Sequence, residues 1–237
     1  MDDVYVELAQ MYDKFGISDF SVSFGDSMLK YFDCMYPNET FKKNLDICCG
    51  TGTLCGFFKD NGIQTKGVDL SAEMLDVARS KYCDVEFIKC NASEFNDGEV
   101  YDFITCTDDA LNHITDIEDV KRIVKNANVL LRDGGLFIFD INNFDILTPG
   151  EYNKDSFNGY SKLSLVQSRD SDLIKTDVKY YEHDKLIWQK SLFERDYSIS
   201  NLTQIFNREG FVLDSCSQHF LDEKRSEKWK LIFKKVE

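Results

Sequence analysis

Residues 44–54 read Asn-Leu-Asp-Ile-Cys-Cys-Gly-Thr-Gly-Thr-Leu (NLDICCGTGTL). An apolar run carrying one acid, Asp46, ends in two cysteines, and glycines follow at positions 50 and 52. A strand feeding a ligand loop, a cysteine pair with redox or metal chemistry, and a plain tight turn all fit such a stretch. The eight cysteines (34, 48, 49, 55, 83, 90, 106 and 216) contain no C-x-x-C pair, so neither a zinc ribbon nor a thioredoxin-type site is indicated. Neighbours on a strand point to opposite faces, which also separates Cys48 from Cys49. Buried, reduced thiols are expected, with no metal site.

Outward from this stretch, short apolar runs alternate with helix-length segments. Leu45 to Cys49, Thr65 to Leu70, Val85 to Lys89, Tyr101 to Thr105 and Leu136 to Ile141 read as strands. Between them, Leu54 to Asn61 reads as a helix closed by Gly62, Ser71 is a fair N-cap for a helix to Tyr82, and Asp116 to Leu131 carries a helical apolar stripe. Helix-length connections between short strands imply βαβ units and a parallel sheet. Before this core, residues 1–32 carry a helix-like spread of apolar positions around Gly16. After Asn142 the rhythm becomes two-residue alternation, and residues 162–195 predict two or three antiparallel strands as an inserted layer. A helix over Ile199 to Arg208 and a closing strand pair, Phe211 to Phe220 and Trp229 to Val236, complete the pattern.

The 237 residues suffice for one sizeable α/β domain with an insertion, and 43% hydrophobic content predicts a packed core. The net charge of -14 repels a nucleic-acid polyanion. The chain opens acidic (Met1-Asp2-Asp3), with no signal-peptide core and no run near the ~20 apolar residues of a membrane span. A cytoplasmic protein without membrane contact is expected.

A strand, then Gly50-Thr51-Gly52, then a helix lets bare backbone approach a nucleotide-like ligand, because glycine permits the turn and removes the Cβ that would collide. Asp69 ends the next strand, nineteen residues after Gly50, where a carboxylate can accept hydrogen bonds from ribose hydroxyls. A dinucleotide fingerprint, G-x-G-x-x-G, is not met: the third glycine, Gly56, arrives one step late.

Leu45 to Leu54, Gly67 to Leu75 (GVDLSAEML), Asn91-Ala92, Tyr101 to Ala110 (YDFITCTDDA) and Gly134 to Asp140 (GGLFIFD) resemble, in order, the motifs of class I S-adenosylmethionine-dependent methyltransferases. The closing strand pair is similar to that family's reversed last strands, which nicotinamide dehydrogenases lack. The resemblance implies an α/β fold: a Rossmann-like, mostly parallel seven-stranded sheet with a reversed last strand, helices on both faces and an inserted antiparallel β lid. It divides the chain into an N-terminal helical cap (1–32), a cofactor-binding core (33–141 and 197–237) and a lid or substrate insertion (142–196). One departure is Cys48, where the family often has glycine.

The implied cofactor is S-adenosyl-L-methionine. The backbone of Cys48, Cys49, Gly50 and Gly52 would border its methionine part, with Leu54 and Tyr5 among the contacts and Asp46 bracing the loop base. Asp69 would hold the ribose, Leu70 and Met74 the adenine face, Asn91 and Ala92 the adenine edge, and Thr107 the sulfonium side. The run Asp109 to Ile114 resembles the matching segment of small-molecule N-methyltransferases acting on amino sugars and glycine, which points to His113 as a catalytic base beside Asn112. Phe139 to Asp145 is similar to the glycine-type enzymes and brings in Asn142. The N-terminal run containing Tyr5 and Tyr12-Asp13 resembles this subgroup's Y-x-x-(L/F)-A-x-x-Y-D pattern, in which a tyrosine reaches the methyl or the substrate; Tyr12 is the catalytic candidate. Asp108 would favour a cationic substrate, and Arg195 or Tyr197 would approach the acceptor.

Enzymes that methylate exocyclic amines of bases carry an Asn/Asp-Pro-Pro-aromatic run after the fourth strand, where this chain reads Thr107-Asp108-Asp109-Ala110. The expected activity is methyl transfer to a small-molecule acceptor, nitrogen ahead of oxygen. The alternatives are an O- or C-methyltransferase of an aromatic metabolite, for which Tyr152, Phe157, Tyr160, Tyr180, Tyr181 and Trp188 would suit a flat acceptor, a catalytically silent cofactor binder, and a dehydrogenase. Oligomeric state is not legible.

Overall fold

The computed structural model describes residues 4–144, 151–155, 160–222 and 225–236. Five strands and their helices follow in chain order: β1 (Lys43–Ile47), α3 (Thr53–Asp60), β2 (Gln64–Asp69), α4 (Ala72–Lys81), β3 (Glu86–Lys89), β4 (Tyr101–Cys106), α5 (Ile117–Leu130) and β5 (Leu131–Asn142). Two helices precede them, α1 (Val4–Leu8) and α2 (Asp19–Met35). The chain closes with α6 (Ile199–Arg208), β10 (Phe211–Asp222) and β11 (Arg225–Lys235). These form a seven-stranded sheet in the order β10-β11-β5-β4-β1-β2-β3. β1, β2, β3, β4 and β5 pair in parallel, and β11 runs antiparallel to both neighbours. The expected reversed last strand is β11.

Period-two alternation divides the core between the sheet's two faces. On one face Leu136, Ile138, Phe103 and Ile232 meet Phe24, Met28 and Phe32 of α2 and Leu54 and Phe58 of α3. On the other Phe137, Phe139, Ile104 and Phe233 meet Val120, Ile123 and Val124 of α5 and Leu202 and Phe206 of α6. The strand expected from Leu136 begins at Leu131, directly out of α5. Its register with β4 shifts between Tyr101 and Phe103. Gly135 fits there because a Cβ would lie 2.8 Å from the Arg132 carbonyl and 3.0 Å from that of Asp102.

The insertion holds four antiparallel strands, β6 (Glu151–Asp155), β7 (Ser161–Asp170), β8 (Leu173–Glu182) and β9 (Lys185–Arg195), paired in sequence order; the last three are the two or three expected over residues 162–195, and β6 precedes that range. That strand, EYNKD, carries no apolar alternation. The inner face presents Leu163, Val178 and Tyr180, which pack with Leu8, Ala9 and Phe15 of the N-terminal segment and Met74 of α4. The N-terminal segment is thus held between α4 and the inserted sheet, over the carboxyl ends of β1 and β2. Among the described residues no helix is long and apolar enough to cross a membrane.

The cysteine expectation needs correction. All eight are free thiols, but only Cys55 and Cys106 are buried, and Cys34, Cys83 and Cys216 are exposed. The strand expected to run to Cys49 ends at Ile47, so both cysteines lie in the turn after it; Cys48 packs toward the core that contains Cys106, and Cys49 packs beside Cys55 and Phe87.

Candidate active site

A cavity of about 220 Å³ opens beyond the carboxyl ends of β1, β2 and β4, where open α/β sheets bind ligands. It far exceeds the ~10–15 Å³ that one water needs. Its walls come from the turn after β1, the β2 end, the N-terminal segment and the segment after β4.

The turn after β1 carries left-handed backbone at Cys48 (φ 56°), Gly50 (φ 54°) and Gly52 (φ 72°). That region is strained for a residue with a Cβ, which accounts for glycine being the easier occupant at position 48. The two glycines do different work. A Cβ on Gly50 would meet nothing within 4 Å, whereas one on Gly52 would lie 2.7 Å from the Phe87 ring and 3.0 Å from Ala78. Gly50 keeps the cavity wall bare; Gly52 lets α3 close onto α4 and β3, and does not line the cavity.

Asp69 lines the cavity with its carboxylate braced by backbone: Oδ2 accepts from the Gly50 amide at 2.8 Å and Oδ1 from the Ser71 amide at 2.8 Å. Asp46, Cys48, Cys49, Leu54, Leu70, Met74 and Thr107 also line it. Asp46 is 2% exposed and accepts from Thr105 Oγ1 at 2.7 Å and Cys55 Sγ at 3.4 Å. Burial pushes its carboxyl up to about 7, against the pull of those two donors.

The opposite end of the cavity is lined by Tyr5, Tyr12, Asp108 and His113. Asp108 and Asp109 both take left-handed φ, and their amides donate to Asp140 Oδ1 at 2.7 Å and Oδ2 at 2.8 Å. Lys228 of β11 reaches all three acids, at 3.2 Å from Asp108, 2.5 Å from Asp109 and 3.0 Å from Asp140, with its ammonium over the Phe20 ring. Burial would lower the Lys228 ammonium, but the three carboxylates outweigh it and hold it well above its ordinary value. Burial likewise favours a neutral Asp109, yet Lys228 and His113 outweigh it and keep that carboxyl well below the usual range. Burial raises Asp140 to about 6.

His113 Nε2 faces Asp109 Oδ2 at 3.6 Å, and Tyr5 meets the imidazole edge-on, ring centres 5.9 Å apart. Burial would depress the imidazole, but Asp109 and Glu194 raise it above its ordinary value. Tyr12 donates its hydroxyl to Asp108 Oδ2 at 2.8 Å. Burial and then Asp108 hold its phenol well above the usual range, so Tyr12 is a neutral hydrogen-bond donor and not a proton acceptor near neutrality.

Other sequence-derived candidates lie off the cavity wall. Asn91 Oδ1 accepts from the Ser93 amide, and Ala92 packs into the core. Asn112 is fully buried and ties elements together: its Nδ2 donates to the Arg195 carbonyl at 2.8 Å, and its Oδ1 accepts from the Asn142 amide at 3.0 Å. Asn142 Nδ2 donates to Asp109 Oδ2 and to Glu194 Oε1, both at 2.9 Å. Arg195 turns its guanidinium to Asp172 at 3.4 Å, and Tyr197 is buried with its hydroxyl on the Ile114 carbonyl. Neither Arg195 nor Tyr197 lines the cavity. Of the expected aromatic lid, Tyr180 is buried against Phe15 and Trp188, and Tyr160 is exposed beside His183. Phe157 and the side chain of Tyr152 lie outside the described residues, as does Asp145. Spacing alone gave no sign of Lys228, Asp140 or Glu194. Glu194, Asp109 and His113 bring one titratable atom each to within 4.8 Å of the others. Asn142 Nδ2 bridges the two acids, and Lys228 pairs with Asp109 beside them.

Residues 45–135 match the family model described as a methyltransferase domain. A chain of Geobacillus sp. (strain WCH70) that carries a provisional methyltransferase name is 28% identical over 215 residues, covering 84% of this chain and 85% of its own. The dTDP-4-amino-2,3,4,6-tetradeoxy-D-glucose N,N-dimethyltransferase of Saccharopolyspora spinosa is 27% identical over 96 residues, 40% of this chain and 39% of that one. The crystal structure of an S-adenosylmethionine-dependent methyltransferase from Clostridium acetobutylicum superposes with a TM-score of 0.81 at 25% identity, covering 99% of this chain and 100% of that one.

Proposed function

We propose, from the premise that the chain is an S-adenosylmethionine-dependent methyltransferase, that it methylates an amine nitrogen of a small molecule with His113 as the base. The observation that carries this reading is the two-ended cavity. One end is bare glycine backbone beside a braced acid, Asp69; the other is an imidazole set among carboxylates. The residues present fit the cofactor. Asp69 would accept from its ribose hydroxyls, Leu70 and Met74 would flank its adenine, and the Cys48–Gly50 backbone would border its methionine end with Asp46 beneath. When bound, the cofactor supplies an activated methyl group for in-line displacement.

The chain's own residues then have two tasks. They hold the acceptor on the methyl axis away from water, and they remove the proton that keeps an amine from acting as a nucleophile. With Nε2 turned to Asp109, proton uptake falls to Nδ1 of His113, and Asp109 stabilises the imidazolium that results. Tyr12 and Asp108, joined by their hydrogen bond, would orient the acceptor's polar group, and the anionic surroundings favour a cationic acceptor over a phenol. Tyr180 and Trp188 stack on one another and Tyr160 faces solvent, which weighs against a flat aromatic acceptor. The Saccharopolyspora relative, whose name gives an amino-sugar substrate, supports the nitrogen reading.

A panel assay of S-adenosylhomocysteine formation tests it, with small primary and secondary amines set against phenols and alcohols. Turnover confined to amines is expected. Turnover confined to phenols would move the assignment to oxygen, and tight cofactor binding with no turnover on any class would make the chain a silent binder.

A further inference from the structure

Glu194, near the end of β9, comes from the inserted sheet to stand beside His113, which lines the cavity. Glu194 is 3% exposed. Its Oε1 accepts from Asn142 Nδ2 at 2.9 Å and its Oε2 from Thr176 Oγ1 at 3.4 Å. Taking a carboxylate out of water costs several kcal/mol unless a cation answers it, and two neutral donors do not supply one. The imidazole of His113 lies within 4.8 Å, next to Asp109. The Asn142 amide bridges the two acids, so both carboxylates are fixed in one frame around the ring.

We propose that Glu194 is a positioning residue for His113: carried in on the inserted sheet, it supplies the second carboxylate that orients the imidazole and stabilises its protonated form during turnover. The proposal rests on the reading of His113 as the base. In that step an N–H bond of the acceptor's ammonium breaks, the nitrogen keeps the electron pair, and the proton forms a new N–H bond on the ring, which takes up the positive charge. Four groups face the ring from the elements packed on it: Tyr5 of α1 edge-on, Asp109 from its own turn, Glu194 of β9 and Lys228 of β11. Lys228 opposes the imidazolium, but it sits 2.5 Å from Asp109 Oδ1 and offsets that acid. Asp109 is the nearer acid, and Glu194 adds a second anion beside the ring from a different element. The base is then complete only with the inserted sheet in place on the core, which couples the seating of this sheet to the chemistry.

The test is Glu194→Gln, which keeps the shape and an acceptor for Asn142 while removing the charge. The chain has three histidines, so the ring resonances of His113 are assigned by their loss in His113→Gln and titrated by NMR in the whole protein. Losing a nearby anion should lower the His113 midpoint by about one unit, roughly a tenfold change in its proton affinity. The low-pH limb of kcat, measured with the best amine of the panel, should move down with it. Glu194→Asp, which keeps the charge, should return most of the midpoint and serves if Glu194→Gln does not fold. An unmoved His113 midpoint in Glu194→Gln overturns the proposal. A midpoint that moves while the kcat limb stays fixed leaves the link between Glu194 and His113 standing and removes His113 from the base role.

Discussion

The amide of Gly50 donates to Asp69 Oδ2 at 2.8 Å, so the glycine turn after β1 and the acid ending β2 form one rigid unit on the cavity wall. Asp69→Ala should therefore weaken S-adenosylmethionine binding in two ways, through the lost acceptor and through a loosened turn. Together these are worth ~1–3 kcal/mol, the usual cost of losing charge-assisted hydrogen bonds. Calorimetry with S-adenosylmethionine and S-adenosylhomocysteine measures it, and unchanged affinity for both would take Asp69 out of the cofactor site.

Gly50 and Gly52 separate ligand approach from packing. Both have positive φ, so alanine at either costs about 1–2 kcal/mol of backbone strain. At Gly52 the new methyl also strikes Phe87 and Ala78, adding roughly 1–3 kcal/mol of overpacking. Thermal unfolding should rank Gly52→Ala well below Gly50→Ala, while calorimetry should show the larger cofactor defect, relative to stability lost, in Gly50→Ala. Equal melting temperatures would contradict the packing role of Gly52.

Most of the cofactor end was legible because it is local. A strand, a glycine turn and an acid ending the next strand fall within about thirty residues, and Gly50 and Asp69, paired by their spacing, meet in a hydrogen bond. The acceptor end was legible only in part. His113 and Asp108 belong to the segment after β4, but Lys228 and Glu194 arrive from β11 and β9, over eighty residues downstream, and no periodicity marks such a meeting. The run Glu194-Arg195 shows how near the reading came. Successive strand residues face opposite ways, so once Glu194 turns inward, Arg195 turns out to Asp172. Choosing between them needed the register of β9, which pairs Glu194 with Ile174.

Asp46 makes a prediction about stability and pH. Burial lifts its folded-state pKa to about 7, above the ~3.9 of an unfolded aspartate. Below about pH 4 the carboxyl is neutral in both states and costs nothing. Between pH 4 and 7 the unfolded chain releases the proton more readily, so native stability falls with rising pH, and above 7 the loss is complete. At about 1.4 kcal/mol per unit the ceiling is roughly 4 kcal/mol. Asp46→Asn should unfold at a higher temperature than the wild type at pH 8 without ligand, with the gap closing toward pH 4. A gap independent of pH would mean that the carboxyl is not held neutral by its surroundings.

His113 yields the last prediction, because its environment fixes the direction of the pH dependence. Asp109 and Glu194 raise the imidazole above 6.5 despite burial, so it is protonated, and unable to act as a base, through the lower part of the neutral range. Turnover should climb with pH through that raised value and not through 6.5. His113→Gln should cut turnover by about 10²–10⁴-fold, the contribution typical of a positioned acid or base, and abolish this limb, while affinity for S-adenosylhomocysteine stays near that of the wild type. The same shift acts on stability with the opposite sign. A raised imidazole stabilises the fold fully below pH 6.5 and loses that contribution as pH rises through its folded-state value. His113→Gln should then be less stable than the wild type near pH 5.5, with the difference shrinking toward pH 8.5. Measuring turnover, product affinity and melting temperature across one pH series tests the three together. Unchanged turnover would remove the base role, and a melting difference that grew with pH would contradict the carboxylate environment itself.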